Sequence, residues 1–373
     1  MPYSRIPALD ALRGLAALLV VFTHAYAIWP PEDRAALFWI SHTPLRLLIN
    51  GSAGVTFFFV LSGFVLALPF LEGKRLAYSA FLLRRFCRIY LPFMVTLLLA
   101  LSLRAFAGHA PVPLTSDWFN DQWAENFTAG AILGHLALMG TVSTMNLDSS
   151  IWTIVVEIRA ALVFPLLLWL CRDSRRGLFG ALTLYVISTL TLRAMRPAID
   201  DALLDTENFW LTLLVTARSL TFFLFGILLA KHRKALCQVL SRYSTKYKYI
   251  LGFFCLFIFC LPHFPEETLP EGIAAGIILI LVLTQPRLQQ LLTTYWLAWL
   301  GRISFSLYLL HLPVYFVTFH FLLGLLTFGP TLAIAIATAL ATAALMQRWV
   351  EAPAQALGHR LTRPPNPIAD TVG

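Results

Sequence analysis

A histidine within the first long apolar segment is the residue of this sequence best suited to chemistry. His24 follows an apolar run over residues 16–22, and an ionisable group in hydrocarbon is costly unless it has a partner or a function. Asp10 and Arg13 precede it by fourteen and eleven residues, close to whole helical turns, so all three side chains share one face of a helix. The spacing predicts a polar stripe that runs inwards from one edge of a membrane.

Three more ionisable residues are expected near the depth of His24. At about 1.5 Å per residue, His24 lies roughly 20 Å from the membrane edge at Asp10. Glu157 and Arg218 enter from the opposite edge, and His311 climbs about 24 Å along its own span. We therefore predict that all four groups lie in the outer half of the membrane, with His24 and Glu157 as the candidate catalytic residues.

Two of these residues also have a structural interpretation. Glu157 could pair with Arg218 or Arg159 and so hold helices together, which explains it as well as a functional role does. His311 shares a helical face with hydroxyl-bearing residues, and such stripes often join transmembrane helices; they are Ser304, Tyr308 and Tyr315.

A pair of arginines marks the opposite side of the membrane. Arg85 and Arg88 stand at i and i+3 where another apolar span begins, so they share a helical face. Guanidinium groups bind phosphate through two hydrogen bonds at once. The other interpretation is that these arginines only fix the topology of the chain. This role could partly account for Arg85, but it accounts less well for Arg88, because Arg88 lies one turn further into the span.

These side chains must be positioned by membrane helices. The chain is 58% hydrophobic and 13% charged, whereas soluble domains are about a quarter charged. We predict an all-α, polytopic helical bundle of about ten spans, each near the roughly 20 residues that a bilayer requires; they are 9–29, 51–71, 86–106, 150–171, 178–195, 212–230, 248–264, 270–285, 295–320 and 328–349.

The loop charges orient this bundle. Basic residues gather in loops 72–85, 172–176 and 231–248, and acidic residues gather in 117–125, 200–207 and 266–271. Because positively charged loops stay inside, both termini are predicted to be cytoplasmic. The net charge of +9 is therefore explained by topology, and we expect no nucleic acid partner.

The rest of the chain adds few features. Residues 131–145 are apolar but short, which predicts a re-entrant or interfacial helix instead of a crossing. We expect one membrane domain over 1–357 and a short, disordered cytoplasmic tail over 358–373. The five cysteines lack metal-binding spacing, so we expect neither disulfides nor a metal site.

Several sequence elements, in order, match a known family. They are residues 9–14 followed by His24, residues 57–64, the Arg85 and Arg88 pair, Trp152 with Glu157, residues 301–311 and residues 350–353. On these elements the chain resembles the bacterial acyltransferase-3 family of integral membrane O-acyltransferases, which modify cell-surface sugars and some secreted small molecules. It departs from the family in lacking aromatic residues after Trp152 and Glu157, which bears on the acceptor side.

The resemblance implies an enzyme of the bacterial inner membrane. Its donor substrate would be cytoplasmic acyl-CoA, most often acetyl-CoA, with no permanently bound cofactor, and its acceptor a hydroxyl of a cell-surface or lipid-linked carbohydrate. The donor would contact Arg85 and Arg88. Asp10 and Arg13 would form a polar pair at the cytoplasmic end of their helix and would also lie near the donor. His24 would be a general base or carry the acyl group, and Glu157 would orient His24 or bind the acceptor. The cavity would be lined by Ser304, Tyr308, His311, Arg218 and Trp152.

A transporter or flippase for a lipid-linked sugar or other amphiphile is the competing interpretation, since polar residues at mid-membrane depth also suit a transport path. Membrane lipids surround the protein in either case. The acceptor, the acyl chain and the oligomeric state stay open at this point.

Overall fold

The computed structural model describes residues 6–30, 37–74, 76–108, 110–123, 128–138, 147–195, 208–261 and 268–363. This part of the chain is built from α-helices, which we number in chain order. They are α1 (Pro7–Ile28), α2 (Phe38–His42), α3 (Gly51–Leu71), α4 (Tyr78–Ala107), α5 (Asp117–Asp121), α6 (Ala129–Ala137), α7 (Ile151–Leu170), α8 (Ser174–Met195), α9 (Phe209–Ser241), α10 (Thr245–Cys260), α11 (Leu269–Thr284), α12 (Pro286–Leu292), α13 (Tyr295–Leu322), α14 (Phe328–Met346) and α15 (Ala352–Leu361).

Within the described ranges, eight helical segments are long and apolar enough to cross a membrane. They are α1, α3, α4, α7, α8, α9, α13 and the continuous segment from α14 to α15; α11 and α12 form a ninth if the pair, bent by 101°, counts as one span. The predicted all-α membrane bundle is thus confirmed. The predicted span 248–264 coincides with α10, whose 16 residues rise about 24 Å, short of a hydrocarbon core of about 30 Å.

Three predicted boundaries differ from the observed ones. Helix α4 begins at Tyr78, eight residues before the predicted start of its span, so its arginines lie inside the helix instead of at its edge. Helix α6 has nine residues and is too short to cross, and residues 139–145 of that segment lie outside the described ranges. The tail predicted from residue 358 is helical as far as Leu361, and residues 364–373 also lie outside the described ranges.

The close crossing of α1 and α13 brings two glycines, Gly14 and Gly301, against each other. A Cβ on Gly14 would lie 2.7 Å from the backbone nitrogen of Gly301, and one on Gly301 would meet the carbonyl of Asp10 at still closer range. Such close backbone approach is typical of small residues between membrane helices. Arg13 secures the crossing, since its Nε donates to Ser304 Oγ at 2.9 Å and its Nη2 to the carbonyl of Gly301 at 3.2 Å.

This crossing fixes the register of the two helices. His24 follows Gly14 by ten residues, and His311 follows Gly301 by ten. Because α1 and α13 run parallel from the crossing, each histidine lies about 15 Å further along its own helix. The two imidazoles therefore meet, with 2.7 Å between His24 Nδ1 and His311 Nε2.

A second glycine crossing joins α3 and α9. A Cβ on Gly63 would meet the backbone of Phe223, and one on Gly226 would meet the backbone of Val60. At the start of α3, Asn50 caps the helix by accepting from the Ala53 backbone N–H at 3.0 Å. These contacts join α3 and α9 into the large apolar core against which the functional helices pack.

The glycine crossing of α1 and α13 predicts an unequal response to one added methyl group. Gly301→Ala should lower the free energy of unfolding by about 1–3 kcal/mol, because the two backbones must separate to admit the Cβ. Gly180→Ala in α8 is the matched control, because its Cβ would have no neighbour within 4 Å, so alanine should be neutral or slightly stabilising there. Thermal unfolding of the purified protein in detergent measures both, and equal melting temperatures would show that the crossing is not tight.

Candidate active site

The paired histidines define the first part of the site. His311 Nδ1 lies 2.8 Å from the carbonyl of Tyr308 and 3.2 Å from that of Leu307. Carbonyl oxygens accept hydrogen bonds but do not donate, so His311 carries its proton on Nδ1. Its Nε2 then accepts a hydrogen bond from His24 Nδ1 across the 2.7 Å contact. This tautomer, assigned from the hydrogen-bond network, leaves His24 Nε2 with a lone pair.

The surroundings hold both rings in place. His311 is fully buried, and its ring is within 7° of the plane of His24. Trp118 stacks on His24 with 5.4 Å between ring centroids, and Tyr315 contacts His311 edge-on. A base whose tautomer and ring plane are both fixed is what proton abstraction requires.

His24 lines a cavity of about 500 Å³, which we call the histidine cavity. Its walls come from α1, α3, α7, α9 and α13, together with the 3₁₀ turn Pro44–Ile49 before α3. Three residues predicted to line a substrate cavity, Trp152, Arg218 and Tyr308, do so here. Of the other two, Ser304 lines a second cavity, and His311 contacts His24 without being among the lining residues of either. The lining mixes aromatic rings with hydroxyl, amide and guanidinium groups, as small-molecule sites commonly do.

A second and smaller cavity, of about 90 Å³, contains the cationic part of the site. We call it the arginine cavity, because Arg13, Arg85 and Arg88 all line it, with Glu157 as the carboxylate in its wall. Two of the three arginines lie on α4, two to three turns inside that helix because it begins at Tyr78.

Ion pairs organise the arginine cavity. Arg85 Nη2 lies 3.3 Å from Glu157 Oε2, and Ser62 Oγ donates to Glu157 Oε1 at 3.3 Å. Arg85 Nε is buried and has no hydrogen-bond partner among the described residues. Arg13 pairs with Asp10 at 3.1 Å, as expected for a polar pair at that end of α1.

The two cavities share a wall. Val55, Phe59 and Tyr308 line both of them. The Tyr308 hydroxyl donates to the carbonyl of Ser150 at 3.2 Å and accepts from Thr153 Oγ1 at 2.8 Å. Tyr308 thus stands between His24 on one side and the arginines on the other.

Glu157 does not contact His24, so the first of its two expected roles, the orientation of His24, is wrong. His24 contacts His311, whereas Glu157 contacts Arg85 and lines the other cavity. The expected ion pair of Glu157 with Arg218 or Arg159 is also not the observed one, because the deep position of Arg85 brings the two opposite charges together. The predicted separation of Glu157 from the arginines fails for the same reason, since it assumed that α4 begins near residue 86.

Sequence reasoning missed three polar residues beside the cavities. Glu351, in a π-helical turn over Gln347–Glu351, accepts from Ser306 Oγ at 2.7 Å and interacts electrostatically with Arg88. Arg46 lines the histidine cavity. Asp148 accepts from Ser150 Oγ at 2.6 Å, just before α7. The equal ten-residue spacing from glycine to histidine in α1 and α13 was the signal that could have predicted the histidine pair.

In the described part of the chain, no group of three or more His, Cys, Asp or Glu side chains is placed to hold a metal ion.

A family model described as an acyltransferase domain matches residues 6–346. The chain belongs to this acyltransferase family. The match covers both histidines and the three arginines, and it confirms the resemblance found in the sequence.

A curated relative is similar to this acyltransferase. O-acetyltransferase PaAT-1 of Phomopsis amygdali is 26% identical over 371 residues, which cover 82% of this chain and 71% of the relative. No solved structure matches the chain at a significant level.

The carboxyl group of Asp148 predicts a pH-dependent stability. It is buried before α7, which raises its pKa from 3.8 to about 7, although the hydrogen bonds from Ser150 act in the opposite direction. A folded-state pKa above the unfolded value makes ionisation unfavourable in the folded protein, so stability should fall as the pH rises from about 4 through 7. The melting temperature should therefore decrease between pH 5 and pH 8.

Asp148→Asn should flatten that decrease, because asparagine has no proton to lose. Asp173→Asn is the control, since that carboxylate is half exposed and its removal should leave the slope unchanged. If the melting temperatures of the wild type and of Asp148→Asn fall equally between pH 5 and pH 8, the pH dependence belongs to another ionisable group.

Proposed function

We propose that this acyltransferase moves an acyl group, acetyl in the first instance, from acyl-CoA to a hydroxyl of a cell-surface or lipid-linked carbohydrate. The observation that carries the proposal is the fixed His24–His311 pair. In this pair His24 Nε2 keeps its lone pair, and His24 lines a cavity of about 500 Å³ that could hold the acceptor. The name of the relative, an O-acetyltransferase, supports both the acetyl group and an oxygen acceptor.

His24 would act as the general base. Its Nε2 takes the proton of the acceptor hydroxyl while that oxygen attacks the thioester carbonyl carbon. The carbon–sulfur bond then breaks, and the proton passes to the departing CoA sulfur, so the products are the O-acyl ester and free CoA. His311 stabilises the imidazolium through its neutral Nε2, as the third member of a hydrolase triad does through its carboxylate. Transfer in two steps through an acylated His24 would use the same nitrogen as nucleophile.

The arginine cavity would receive the donor. Its three arginines accompany one carboxylate among the described lining residues. Arg85 Nε is buried and has no hydrogen-bond partner in the described part of the chain, which favours an incoming acceptor of hydrogen bonds. A volume of about 90 Å³ admits the thioester end of acyl-CoA and not its nucleotide. The phosphates would therefore lie at the mouth of the cavity, where Arg85 and Arg88 can both reach them, while the pantetheine arm extends inwards.

The wall at Tyr308 sets a condition on transfer. The thioester carbonyl must pass Val55, Phe59 and Tyr308 to reach His24, since these residues line both cavities. Each hydrogen bond that holds the Tyr308 hydroxyl contributes only about 1 kcal/mol, so binding of the donor can displace the ring. Until then the wall keeps water away from the thioester, which limits hydrolysis.

The direction of the reaction follows from the loop charges. Basic loops on the side where α4 begins would face the cytoplasm, the source of acyl-CoA, and the histidine cavity would face the opposite side. On this orientation the donor would come from the cytoplasmic side and the carbohydrate acceptor from the other, and the bacterial inner membrane, which the resemblance to the acyltransferase-3 family implies, is the location that we propose.

Removal of either histidine should separate catalysis from donor binding. His24→Ala should lower the rate of acetyl transfer by about 10²–10⁴-fold, the usual loss of a general base, and His311→Ala should lower it less because His24 keeps its nitrogen but loses its orientation. The KM for acetyl-CoA should change little in both variants. Radiolabelled acetyl transfer in reconstituted membranes measures both parameters.

His232→Ala is the control for this experiment, because that histidine is exposed at the far end of α9 and hydrogen-bonds Ser174. Full acetyl transfer by His24→Ala at normal expression would disprove the proposed function.

The arginines should distinguish donors that differ in their phosphates. Arg88→Gln should reduce kcat/KM for acetyl-CoA by roughly tenfold or more, the value of one charge-assisted hydrogen bond, and should hardly change kcat/KM for acetyl-pantetheine, which lacks phosphates. Arg85→Gln should affect both donors, because it also removes the ion-pair partner of Glu157 from the wall of the cavity. Arg242→Gln, on an exposed residue, is the control, and equal losses for the two donors in Arg88→Gln would remove the phosphate assignment.

A further inference from the structure

The histidine cavity has a cationic lining that the reaction described above does not use. Two guanidinium groups, those of Arg46 and Arg218, belong to its wall, and no aspartate or glutamate is among the lining residues in the described part of the chain. An acid–base reaction at His24 needs a hydroxyl and not a cation. Guanidinium groups in such a lining are suited to bind an anionic part of the molecule that occupies the cavity.

Arg46 has an unused hydrogen-bond donor. Its Nη1 donates to the carbonyl of Ser41 at 3.3 Å, which anchors the side chain within the turn Pro44–Ile49. Its Nε is buried and has no hydrogen-bond partner among the described residues. A buried charged donor without an acceptor is strongly unfavourable, so a ligand that supplies an acceptor would be bound selectively.

Arg218 adds a second charge from a different element. It lies on α9 with 8% of its surface exposed, next to Ser219, which also lines the cavity. A guanidinium at this depth in a membrane helix is costly and is characteristic of a ligand or ion site. Arg46 and Arg218 thus bring two positive charges to one enclosed space from two separate helical segments.

One carboxylate of the described residues interacts with Arg46 from outside the lining. Glu271 on α11 interacts electrostatically with Arg46, and its Oε1 accepts from Asn50 Nδ2 at 2.9 Å. Glu271 is not among the residues that line the cavity, whereas Arg46 is, so a ligand in the cavity can meet the guanidinium group of Arg46 directly.

We infer that the acyl acceptor carries an anionic group, a carboxylate or a phosphate, which Arg46 and Arg218 bind in the histidine cavity while the acceptor hydroxyl meets His24. The inference rests on the proposed function and narrows it to a substrate class. Binding of the anion at the far wall orients the hydroxyl toward His24 Nε2, and it discriminates against neutral alcohols of the same size, because those leave Arg46 Nε unpaired.

A pair of probes that differ in one group tests this inference. Octyl β-D-glucuronide carries a carboxylate where octyl β-D-glucoside carries a hydroxymethyl group, and both have the same ring and tail. With acetyl-CoA as donor and the full chain in phosphatidylcholine nanodiscs, kcat/KM for the glucuronide should exceed that for the glucoside by about tenfold or more, as one charge-assisted hydrogen bond provides.

Substitutions of Arg46 should change this ratio. Arg46→Gln should reduce it to near one, Arg46→Lys should keep part of it, and Arg46→Glu should invert it. Arg176→Gln is the matched control, because Arg176 is largely exposed and pairs with Asp173, so the ratio should persist. The three variants at one site guard against misfolding, since retention of the ratio by Arg46→Lys shows an intact fold.

Failure of the inference and failure of the proposed function give different results. Equal transfer to both probes, or a ratio that Arg46→Gln leaves unchanged, overturns the inference and leaves the acyltransferase function standing. If neither probe is acetylated, thermal shifts decide: stabilisation of the wild type by the glucuronide, absent in Arg46→Gln, upholds the anion site and counts against the proposed function. No shift with either probe overturns the inference.

A lipid headgroup is the other source of the same chemistry. Phosphatidylglycerol added to the nanodiscs should leave the glucuronide preference in place. If it instead stabilises the wild type but not Arg46→Gln, and abolishes the preference, the arginines bind a structural lipid and the inference is overturned.

Discussion

The contact of Gly14 with Gly301 is the constraint on which the site depends. At this point the backbones of α1 and α13 touch, and no larger residue would permit it. This contact sets the register of the two helices along their length. Beside it Arg13 reaches Ser304, and ten residues after Gly14 His24 reaches His311. A shift of one residue would turn the imidazoles apart by about 100°, so the packing of two residues without side chains determines the geometry of a base about 15 Å away.

The second constraint is the separation of the donor site from the base. Arg13, Arg85, Arg88 and Glu157 line one cavity and His24 lines the other, and Val55, Phe59 and Tyr308 belong to the wall between them. The wall would allow the donor to be held on one side while the acceptor meets the base on the other, and it gives Tyr308 its position between the two halves of the reaction.

The helical membrane architecture, and several of the residues that line the cavities, could be predicted from the sequence, because hydropathy and helical periodicity are local properties. The sequence placed His24, Trp152, Arg218 and Tyr308 beside a cavity and paired Asp10 with Arg13, as observed. The partner of Glu157 could not be predicted in the same way. Depth was counted from an assumed start of α4, and polar residues near Tyr78 lengthened the helix beyond its apolar part, which moved Arg85 by about two turns. Arg46 could not be predicted as a cavity residue, because its position depends on how a short turn folds against α3. Helical periodicity in the sequence carries no information about such a turn.

The orientation of His24 through a neutral histidine, and not through a carboxylate, fits its surroundings. A buried carboxylate beside an imidazole would have to lose its hydration in the membrane, at a cost of several kcal/mol. Here the outermost acceptors of the relay are the carbonyls of Leu307 and Tyr308, which are polar, fixed by α13 and uncharged. The relay therefore selects a tautomer without introducing a permanent charge, and a positive charge arises only when His24 takes a proton. That charge would be generated in a cavity where an anionic acceptor is bound, so the acceptor itself would help to stabilise the imidazolium that its own hydroxyl creates.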